Sequence, residues 1–285
     1  MALDGNPVAS APSNSGKDVP WYSKDVGDKL PPAARELLEK YSKIPSDEVE
    51  NHISKVRDDA WSVWPYPCLG GFRFLDLSIR NYPNYATILE RLKSGNETFL
   101  DLGCCFGQEI RKLVFDGVSS EQLYGSDLRP EFFELGYQLF QDKDTLKTKF
   151  IAANIFDETS GLDSLDGKID IVFVGAFLHL FNYEEQVRVC QRVVRLLRPQ
   201  KDSLIIGRQV GNVIGAEKKG TSNDHTVFRH NIESFKKMWD EVGQSTGTQW
   251  RVEATLSAPD TIDSRLMPTL HDTDMRRLRF LVYRE

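Results

Sequence analysis

Residues 98–113, TFLDLGCCFGQEIRKL, carry the strongest fold signal in the chain. They read as a short apolar strand, a turn that contains Gly103 and Gly107, and a segment whose apolar residues recur with helical spacing. Ligands of open α/β sheets bind beyond the carboxyl ends of the strands, which is where such a turn lies. Glycines there let the backbone come close to a ligand where a side chain would collide. The stretch therefore predicts a ligand site at the start of a parallel sheet.

From residue 98 onward, short apolar runs alternate with helix-like segments, a pattern typical of β-α units and a parallel sheet. The predicted strands cover residues 98–102, 122–126, 149–153, 169–175 and 203–209. Two later runs, 250–257 and 278–284, lack a convincing helix between them and predict an antiparallel end to the sheet. We expect a Rossmann-like α/β fold whose seven-stranded sheet is mostly parallel and has an antiparallel last strand.

Helical patterns precede this sheet, at residues 32–42, 47–64 and 84–93. We interpret residues 1–18 as a disordered tail, 19–97 as an N-terminal helical cap, and 98–285 as the ligand-binding domain. Within that domain, Asn182 and Glu185 have capping-box spacing, which predicts a helix that ends before Pro199. The stretch 222–230, SNDHTVFRH, is predicted to be a loop leading into a helix over 232–241.

Composition limits the function classes. The 285 residues are 40% hydrophobic and 27% charged, as in ordinary globular proteins. A net charge of −6 without a dense basic cluster disfavours nucleic acid as a partner, so we expect a small-molecule substrate. The longest apolar run, 171–178, is too short to span a bilayer, and the N-terminus carries no secretory or transit signal. The four cysteines lack metal or disulfide spacing, so we expect no metal and a cytoplasmic location.

Asp101, two residues before the first glycine of the turn, indicates the type of ligand. A dinucleotide would place its pyrophosphate at this turn, where the carboxylate of Asp101 would repel it. The G-x-G-x-x-G fingerprint also fails, because it requires glycine at the positions of Cys105 and Gln108. S-adenosylmethionine instead presents an ammonium group, which a carboxylate attracts. The turn therefore favours S-adenosylmethionine, and a nicotinamide oxidoreductase is the less favoured alternative.

Two further motifs close the next strands. Asp127 ends the run LYGSD, where an acidic residue can accept hydrogen bonds from both ribose hydroxyls of an adenosyl group, although a turn or helix-cap role is an alternative. In AANIFD, residues 152–157, Asn154 and the backbone of Ile155 suit the adenine edge, or Asn154 satisfies its own loop. Phe156 or Leu128 would then pack on the adenine face. The predicted cofactor-binding residues are Asp101, Gly103, Gly107, Asp127, Leu128, Ala153, Asn154, Ile155 and Phe156.

The ordered motifs DLGCCFG, LYGSDL, AANIF and IDIVFVGAFLHLF resemble the class I S-adenosylmethionine-dependent methyltransferases over residues 98–285. Usual members carry three alternating glycines after the acidic residue, and Cys105 replaces the middle one here. The whole chain, including its aromatic N-terminal helices, is similar to the fungal methyltransferases of meroterpenoid biosynthesis. That resemblance implies a carboxylic acid of a prenylated aromatic polyketide as methyl acceptor, a methyl ester as product, and a homodimer.

The methyl acceptor decides whether a catalytic base is needed. A carboxylic acid with a pKa of about 4 is ionised at neutral pH, whereas a phenol with a pKa of about 10 benefits from a base. His179, just past the fourth predicted strand, is the candidate base, with a structural histidine as the alternative. His225 and His230 are expected in a solvated loop. Methylation of a phenol or other hydroxyl, and a cofactor-binding regulator without turnover, stay open as alternatives.

A carboxylate acceptor requires a cation. Arg208 at the end of the fifth predicted strand is the best placed by topology, and Arg73 in GGFRF is the second candidate. A surface position or a structural ion pair is the alternative for both arginines. Four aromatic residues before the sheet fit either an apolar wall over a bulky substrate or the core of the cap. They are Trp61, Trp64, Tyr66 and Phe72.

Overall fold

A seven-stranded sheet forms the centre of this computed structural model, which describes residues 16–220, 225–257 and 274–285. The strands are β1 (Phe99–Leu102), β2 (Leu123–Asp127), β3 (Lys149–Ala152), β4 (Ile171–Gly175), β5 (Leu204–Asn212), β6 (Ala216–Lys219), β7 (Thr226–Arg229), β8 (Trp250–Leu256) and β9 (Met275–Arg284). The helices are α1 (Pro32–Glu36), α2 (Val49–Val63), α3 (Pro67–Gly70), α4 (Tyr85–Lys93), α5 (Gln108–Phe115), α6 (Glu131–Phe140), α7 (Tyr183–Leu196) and α8 (Ile232–Thr246). A π-helical turn, Leu37–Tyr41, continues α1.

The strand order in the large sheet is β3-β2-β1-β4-β5-β9-β8. Neighbouring strands among β1 to β5 are parallel, and β9 runs antiparallel to both of its neighbours, β5 and β8. This confirms the predicted mostly parallel sheet with an antiparallel last strand. The strand order reverses between β1 and β4, and ligand crevices of open α/β sheets form at such a point.

Helices cover both faces of the sheet, as expected for parallel strands that are buried on both sides. Side chains alternate between the faces along each strand. Leu100 and Val172 lie in a cluster with residues of α7 and α8. Phe99 and Ile171 point the other way, into a cluster with residues of α4 and α5. The core therefore occupies two layers, one on each side of the sheet.

The helices before β1 bury their own apolar cluster against α6. Trp61 of α2 and Phe74 pack there with Phe106 and Phe132. A buried ion pair lies beside this cluster, where Asp142 accepts hydrogen bonds from Arg111 of α5 at 2.9 and 3.0 Å. The Tyr41 hydroxyl donates to the same carboxylate over 2.7 Å. Removing one partner of a buried pair leaves an uncompensated charge, which costs about 3–5 kcal/mol.

Several segments differ from their predicted bounds. The sequence predicts β5 to end at 209 and β9 to begin at 278. In the structure each strand extends three residues beyond that bound, and the added residues pair with each other up to Asn212 and Met275. The predicted loop at 222–230 is wrong for residues 226–229, which form β7 and pair with β6 in a separate two-stranded sheet. Its partner β6, AEKK, has too few apolar residues to give a strand signal. The hairpin is held because Phe228 donates its N–H to Phe181 O over 2.9 Å.

The predicted tail at 1–18 lies outside the described residues, apart from 16–18. Lys17 there forms an ion pair of 2.8 Å with Asp58 of α2. Among the described residues, no helix combines the length and apolar character needed to cross a membrane.

Candidate active site

The turn after β1 closes over the carboxyl end of β2. Gly103 and Cys104 both donate their N–H groups to Ser126 O, at 2.8 and 3.0 Å. Gly103 and Gly107 have positive φ angles of 75° and 64°, which glycine adopts without strain. A Cβ on Gly103 would lie 2.6 Å from the Phe177 ring, so this position also requires the missing side chain. The two predicted glycines therefore permit the left-handed turn and its close packing against Phe177 and Phe150.

Asp101 is buried, with 2% of its surface exposed, and its Oδ2 atom has no hydrogen-bond partner. Burial raises the pKa of this carboxyl well above its usual range, and the neighbouring Glu109 and Asp127 carboxylates raise it further. A buried carboxylate without a compensating charge is costly. A cationic ligand group would supply that charge, so the surroundings of Asp101 fit an ammonium group.

Asp127 holds the same turn from the end of β2. Its Oδ2 accepts the Cys105 N–H over 2.9 Å, and its Oδ1 accepts the Arg129 N–H over 3.2 Å. Burial raises its pKa, while the donated N–H groups act in the opposite direction. Each carboxylate oxygen has a second lone pair and can still accept a ribose hydroxyl. The bond to Cys105, which has φ of 51°, was not foreseen from the sequence.

The loop after β3 lies beside these residues, because Ala153 donates its N–H to Asp127 O over 2.9 Å. Asn154 Oδ1 accepts the Phe156 N–H over 3.0 Å, so the self-satisfying role of this asparagine is present. Ile155 is buried in the core, which leaves its backbone as the group available to a ligand. The Phe156 ring contacts Phe181 edge-on, with centroids 5.3 Å apart. Leu128 directly follows Asp127 and is partly exposed.

His179 lies in the short 3-10 turn Leu178–Leu180 that follows β4. Burial lowers its pKa to about 4, and the charges of Arg229 and Arg208 lower it too. His225 Nε2 lies 3.2 Å from Leu180 O, and His230 is fully buried with Nδ1 2.9 Å from Ser234 Oγ. The expectation of a solvated loop is therefore wrong for His230, which packs among aromatic rings at the base of the β6–β7 hairpin.

Arg208 and Arg73, the two candidate cations, meet at one carboxylate. Arg208 Nη2 lies 3.0 Å from Asp76 Oδ2, and Arg73 Nη2 lies 2.6 Å from the same atom. The Arg208 side chain is 15% exposed, so the pair is largely shielded from solvent. The structural ion pair considered as an alternative for both residues is thus present.

Two more arginines, which sequence reasoning missed, share the face of Arg208. Arg279 of β9 lies directly opposite Arg208 in the antiparallel pairing, and Arg277 lies two residues along the same strand. Residues two apart on a strand point to the same face. Burial and the charges of Arg208 and Arg73 lower the pKa of Arg277 to about 10. Arg277 was missed because the predicted strand begins at 278, and the pairing that sets Arg279 opposite Arg208 has no local signal. Arg73, Arg208, Arg277 and Arg279 are called the arginine cluster below.

The segment that carries Arg73 and Asp76 is fixed to α5. Glu109 of α5 accepts hydrogen bonds from Ser78 N, Ser78 Oγ and Ile79 N at 2.7, 2.7 and 3.0 Å. These bonds cap the 3-10 turn Ser78–Asn81 with a buried carboxylate. Burial raises the pKa of Glu109, while the hydrogen bonds from Ile79 and Ser78 and the charge of Arg208 act in the opposite direction. The segment that supplies Arg73 is therefore positioned by the helix that follows the glycine turn.

The predicted aromatic wall divides into two parts. Trp61 and Phe72 are buried, with 3% and 1% of their surfaces exposed, and serve as core. Trp64 stacks under the guanidinium of Arg129, which lies 3.6 Å from the ring centroid. Burial raises the pKa of Tyr66, the charge of Asp127 raises it further, and the charge of Arg129 lowers it. Trp64 and Tyr66 therefore lie near the predicted ribose position rather than near the arginine cluster. In the described ranges, no group of three His, Cys, Asp or Glu side chains is placed to hold a metal ion.

The sheet order and the acidic glycine turn define a class I S-adenosylmethionine-dependent methyltransferase. Residues 99–200 match the family profile described as a methyltransferase domain, and residues 21–75 match the meroterpenoid methyltransferase N-terminal domain. A solved structure of the [4+2]-cyclase SpnF covers 69% of this chain and 78% of its own with a TM-score of 0.50 and 12% identity, which shows the fold alone.

Curated relatives are much more similar. The O-methyltransferase atr3 of Stereocaulon alpinum is 45% identical over 280 residues, which are 98% of this chain and 80% of the relative. The Asnovolin E/Chermesin D methyltransferase nvfJ of Aspergillus novofumigatus is 45% identical over 230 residues, which are 79% of this chain and 81% of the relative. The chain belongs to the fungal meroterpenoid methyltransferase family, and its cofactor is S-adenosylmethionine.

Proposed function

We propose that the chain methylates a carboxylate oxygen of a bulky, mostly apolar acid and releases a methyl ester. The observation that carries this proposal is the arginine cluster at the carboxyl end of β5. Within the described residues, Asp76 is the carboxylate paired with Arg208, and the side chains of Arg277 and Arg279 form no ion pair. Arg279 is exposed, so the cluster opens to solvent. Such a surplus of positive charge favours an anionic substrate, and a planar guanidinium matches the two oxygens of a carboxylate.

The low pKa of His179 supports a carboxylate rather than a phenol. A phenol with a pKa of about 10 would have to give its proton to a base, and an imidazole with a pKa of about 4 is a poor acceptor for it. A carboxylate is already ionised at neutral pH and needs no base. We therefore assign no proton transfer to His179, and Arg208 serves to bind and orient the acceptor.

The cofactor supplies a methyl group activated on a sulfonium, so the protein has to align the acceptor oxygen with it and exclude water. We propose that Asp101 binds the ammonium group, and that Gly103 and Gly107 let the turn approach the methionine part. Asp127 would accept the ribose hydroxyls, as its free lone pairs allow. Around the adenine we place the remaining predicted residues, which are Leu128, Ala153, Asn154, Ile155 and Phe156.

Residues 19–97 would act as a cap that supplies part of the acceptor site, following the tail at 1–18 and preceding the cofactor domain at 98–285. This division is supported by Arg73 and Asp76, which come from the segment before β1 and meet Arg208 of β5. The homodimer implied by the family resemblance belongs to the same proposal. Sedimentation of the purified protein would distinguish a dimer from a monomer.

Product analysis tests the proposed reaction. A prenylated 4-hydroxybenzoic acid offers both a carboxylate and a phenol to one enzyme molecule, so incubation with methyl-labelled cofactor reports the choice. We expect a labelled methyl ester, which mild alkali hydrolyses, and no alkali-stable methyl ether. Arg208→Met should raise KM for the acid about 10-fold or more, because a charge-assisted contact is lost. A methyl ether as the main product would overturn the proposal.

A further inference from the structure

Tyr82 carries a buried hydroxyl that none of the steps above uses. The residue follows the 3-10 turn Ser78–Asn81, only 5% of its surface is exposed, and its hydroxyl has no hydrogen-bond partner. Burying a hydroxyl without a partner is unfavourable, and buried polar groups in native proteins are nearly always paired. An unpaired one beside a substrate site therefore points to a ligand that completes it.

Tyr82 is connected to Arg208 by a short series of contacts through Phe173 and Gly175. Its ring contacts the Phe173 ring edge-on, with centroids 6.4 Å apart and an interplanar angle of 87°. The Phe173 ring in turn lies against Gly175, where an added Cβ would come within 2.4 Å of it. Gly175 pairs directly with Arg208 in the β4–β5 register. Burial raises the pKa of the hydroxyl, whereas the charges of Arg208, Arg279 and Arg277 act to lower it, as expected if the hydroxyl faces the arginine cluster.

The position of the hydroxyl is fixed before a substrate binds. Tyr82 donates its N–H to Ile79 O over 3.2 Å, and Glu109 holds Ile79 N over 3.0 Å. These two hydrogen bonds hold the backbone of Tyr82 in place relative to α5. A donor that is held in place loses little conformational freedom when a substrate arrives.

We propose that the Tyr82 hydroxyl donates a hydrogen bond to the carboxylate of the methyl acceptor. A carboxylate has two oxygens, so one stays bound by Tyr82 and the arginine cluster while the other forms the bond to the methyl carbon. Tyr82 would then hold the carboxylate in one orientation, with its other oxygen toward the methyl group, and it would favour acids over acceptors with a single oxygen. This inference rests on the proposed carboxyl methylation.

Tyr82→Phe removes the hydroxyl and keeps the ring that packs on Phe173. The matched control is Tyr85→Phe, three residues away, whose hydroxyl donates to Asp116 over 2.5 Å and lies outside the arginine cluster. The probe is 3-farnesyl-4-hydroxybenzoic acid. Its Kd is measured by calorimetry on protein saturated with S-adenosylhomocysteine, its KM and kcat from ester formation, and the Tm of each protein by calorimetric melting.

For Tyr82→Phe we expect Kd and KM to rise about 10-fold, since a hydrogen bond to a charged group is lost, with Tm unchanged or higher. Tyr85→Phe should show the opposite result, with Kd and KM unchanged and Tm lower. If Tyr82→Phe keeps the parental Kd and KM while the parent forms ester, the inference is wrong and the proposed function stands. If the parent neither binds nor esterifies the acid, the proposed function is rejected and the inference falls with it.

Discussion

The guanidinium of Arg208 and the carboxylate of Asp76 lie 3.0 Å apart, although the two residues are 132 positions apart in the chain. Asp76 comes from the segment before the sheet and Arg208 from β5, so this ion pair joins the two parts of the proposed acceptor site. The same carboxylate oxygen also holds Arg73 at 2.6 Å. In the free protein, Asp76 therefore occupies the position beside Arg208 and Arg73 that we propose for the substrate carboxylate.

Asp76→Asn should strengthen the binding of carboxylic acids. The substitution keeps the shape of the side chain and removes the negative charge that competes with the substrate. We expect a lower KM for the acid, by about 3-fold or more, and a steeper loss of binding with added salt. The exposed Asp28, replaced by Asn, is the control for a general change in net charge. A higher KM would show that Asp76 mainly positions the arginines.

Asp101→Asn should weaken cofactor binding and stabilise the free protein. The carboxylate has a buried oxygen without a partner and a strongly raised pKa, so replacing it by a neutral amide removes an unfavourable buried charge. We expect a higher Tm without ligand and a Kd for S-adenosylmethionine raised about 10-fold or more. Differential scanning calorimetry and titration calorimetry measure the two quantities.

Asp170→Asn is the matched control for that experiment. Asp170 is also buried, but its carboxylate accepts from Thr98 N, Arg198 Nε and Gln200 Nε2 at 2.8 to 2.9 Å. Removing this charge should lower Tm and leave cofactor affinity unchanged. An Asp101→Asn protein that melts below the parent would contradict the account of Asp101 as an uncompensated carboxylate.

Cofactor binding by the parent should strengthen as pH rises. The pKa of Asp101 in the free protein is raised, so part of the population is protonated at a pH where an ordinary aspartate is ionised. The ammonium group binds the ionised form, and proton release should accompany binding in that range. Calorimetry in two buffers with different ionisation enthalpies counts the released protons. A pH-independent Kd for the parent would exclude this linkage.

The turnover number kcat should show no titration of His179 between about pH 6 and 8. Its pKa of about 4 keeps the imidazole neutral across that range. KM for the acid should also stay constant over that range, because Arg277, with its pKa lowered to about 10, keeps its charge there. His179→Gln should keep measurable turnover. Abolished turnover in that variant with cofactor binding intact would favour a phenol acceptor and a histidine base.

Cys105→Gly should be more stable than Cys105→Ala. Residue 105 has φ of 51°, where an L side chain is strained and glycine is not. Both substitutions remove the sulfur, so their difference isolates the backbone, and we expect about 1 kcal/mol in the free energy of unfolding. Urea unfolding of the two variants measures it. Equal midpoints would show that the turn carries no strain at this position.

The sequence predicted most of the sheet and the residues around its first turn. Apolar runs that are buried on both faces are visible without a structure, which is why β1 and β4 were found within two residues of their ends. The capping box of Asn182 and Glu185 is a local pattern and is present at the start of α7. Local signals of this kind do not depend on the rest of the chain.

Features that depend on distant pairing were missed. The β6–β7 hairpin forms between a polar strand and a half-apolar one, so neither shows strand periodicity. The arginine cluster requires knowing that β9 pairs with β5 in a register that sets Arg279 opposite Arg208. The position of Asp76 beside the arginine cluster depends on how the segment before β1 folds against the sheet. No local pattern carries that information.

The contact of Glu109 with Ser78 and Ile79 bears on enzyme engineering. It connects the helix after the cofactor turn to the segment that holds Asp76 and Tyr82. Transplanting the N-terminal region of a relative, in order to change the accepted substrate, would separate these partners unless both sides are moved together. A productive chimera should therefore take residue 109 and its surroundings from the same parent as residues 73–82.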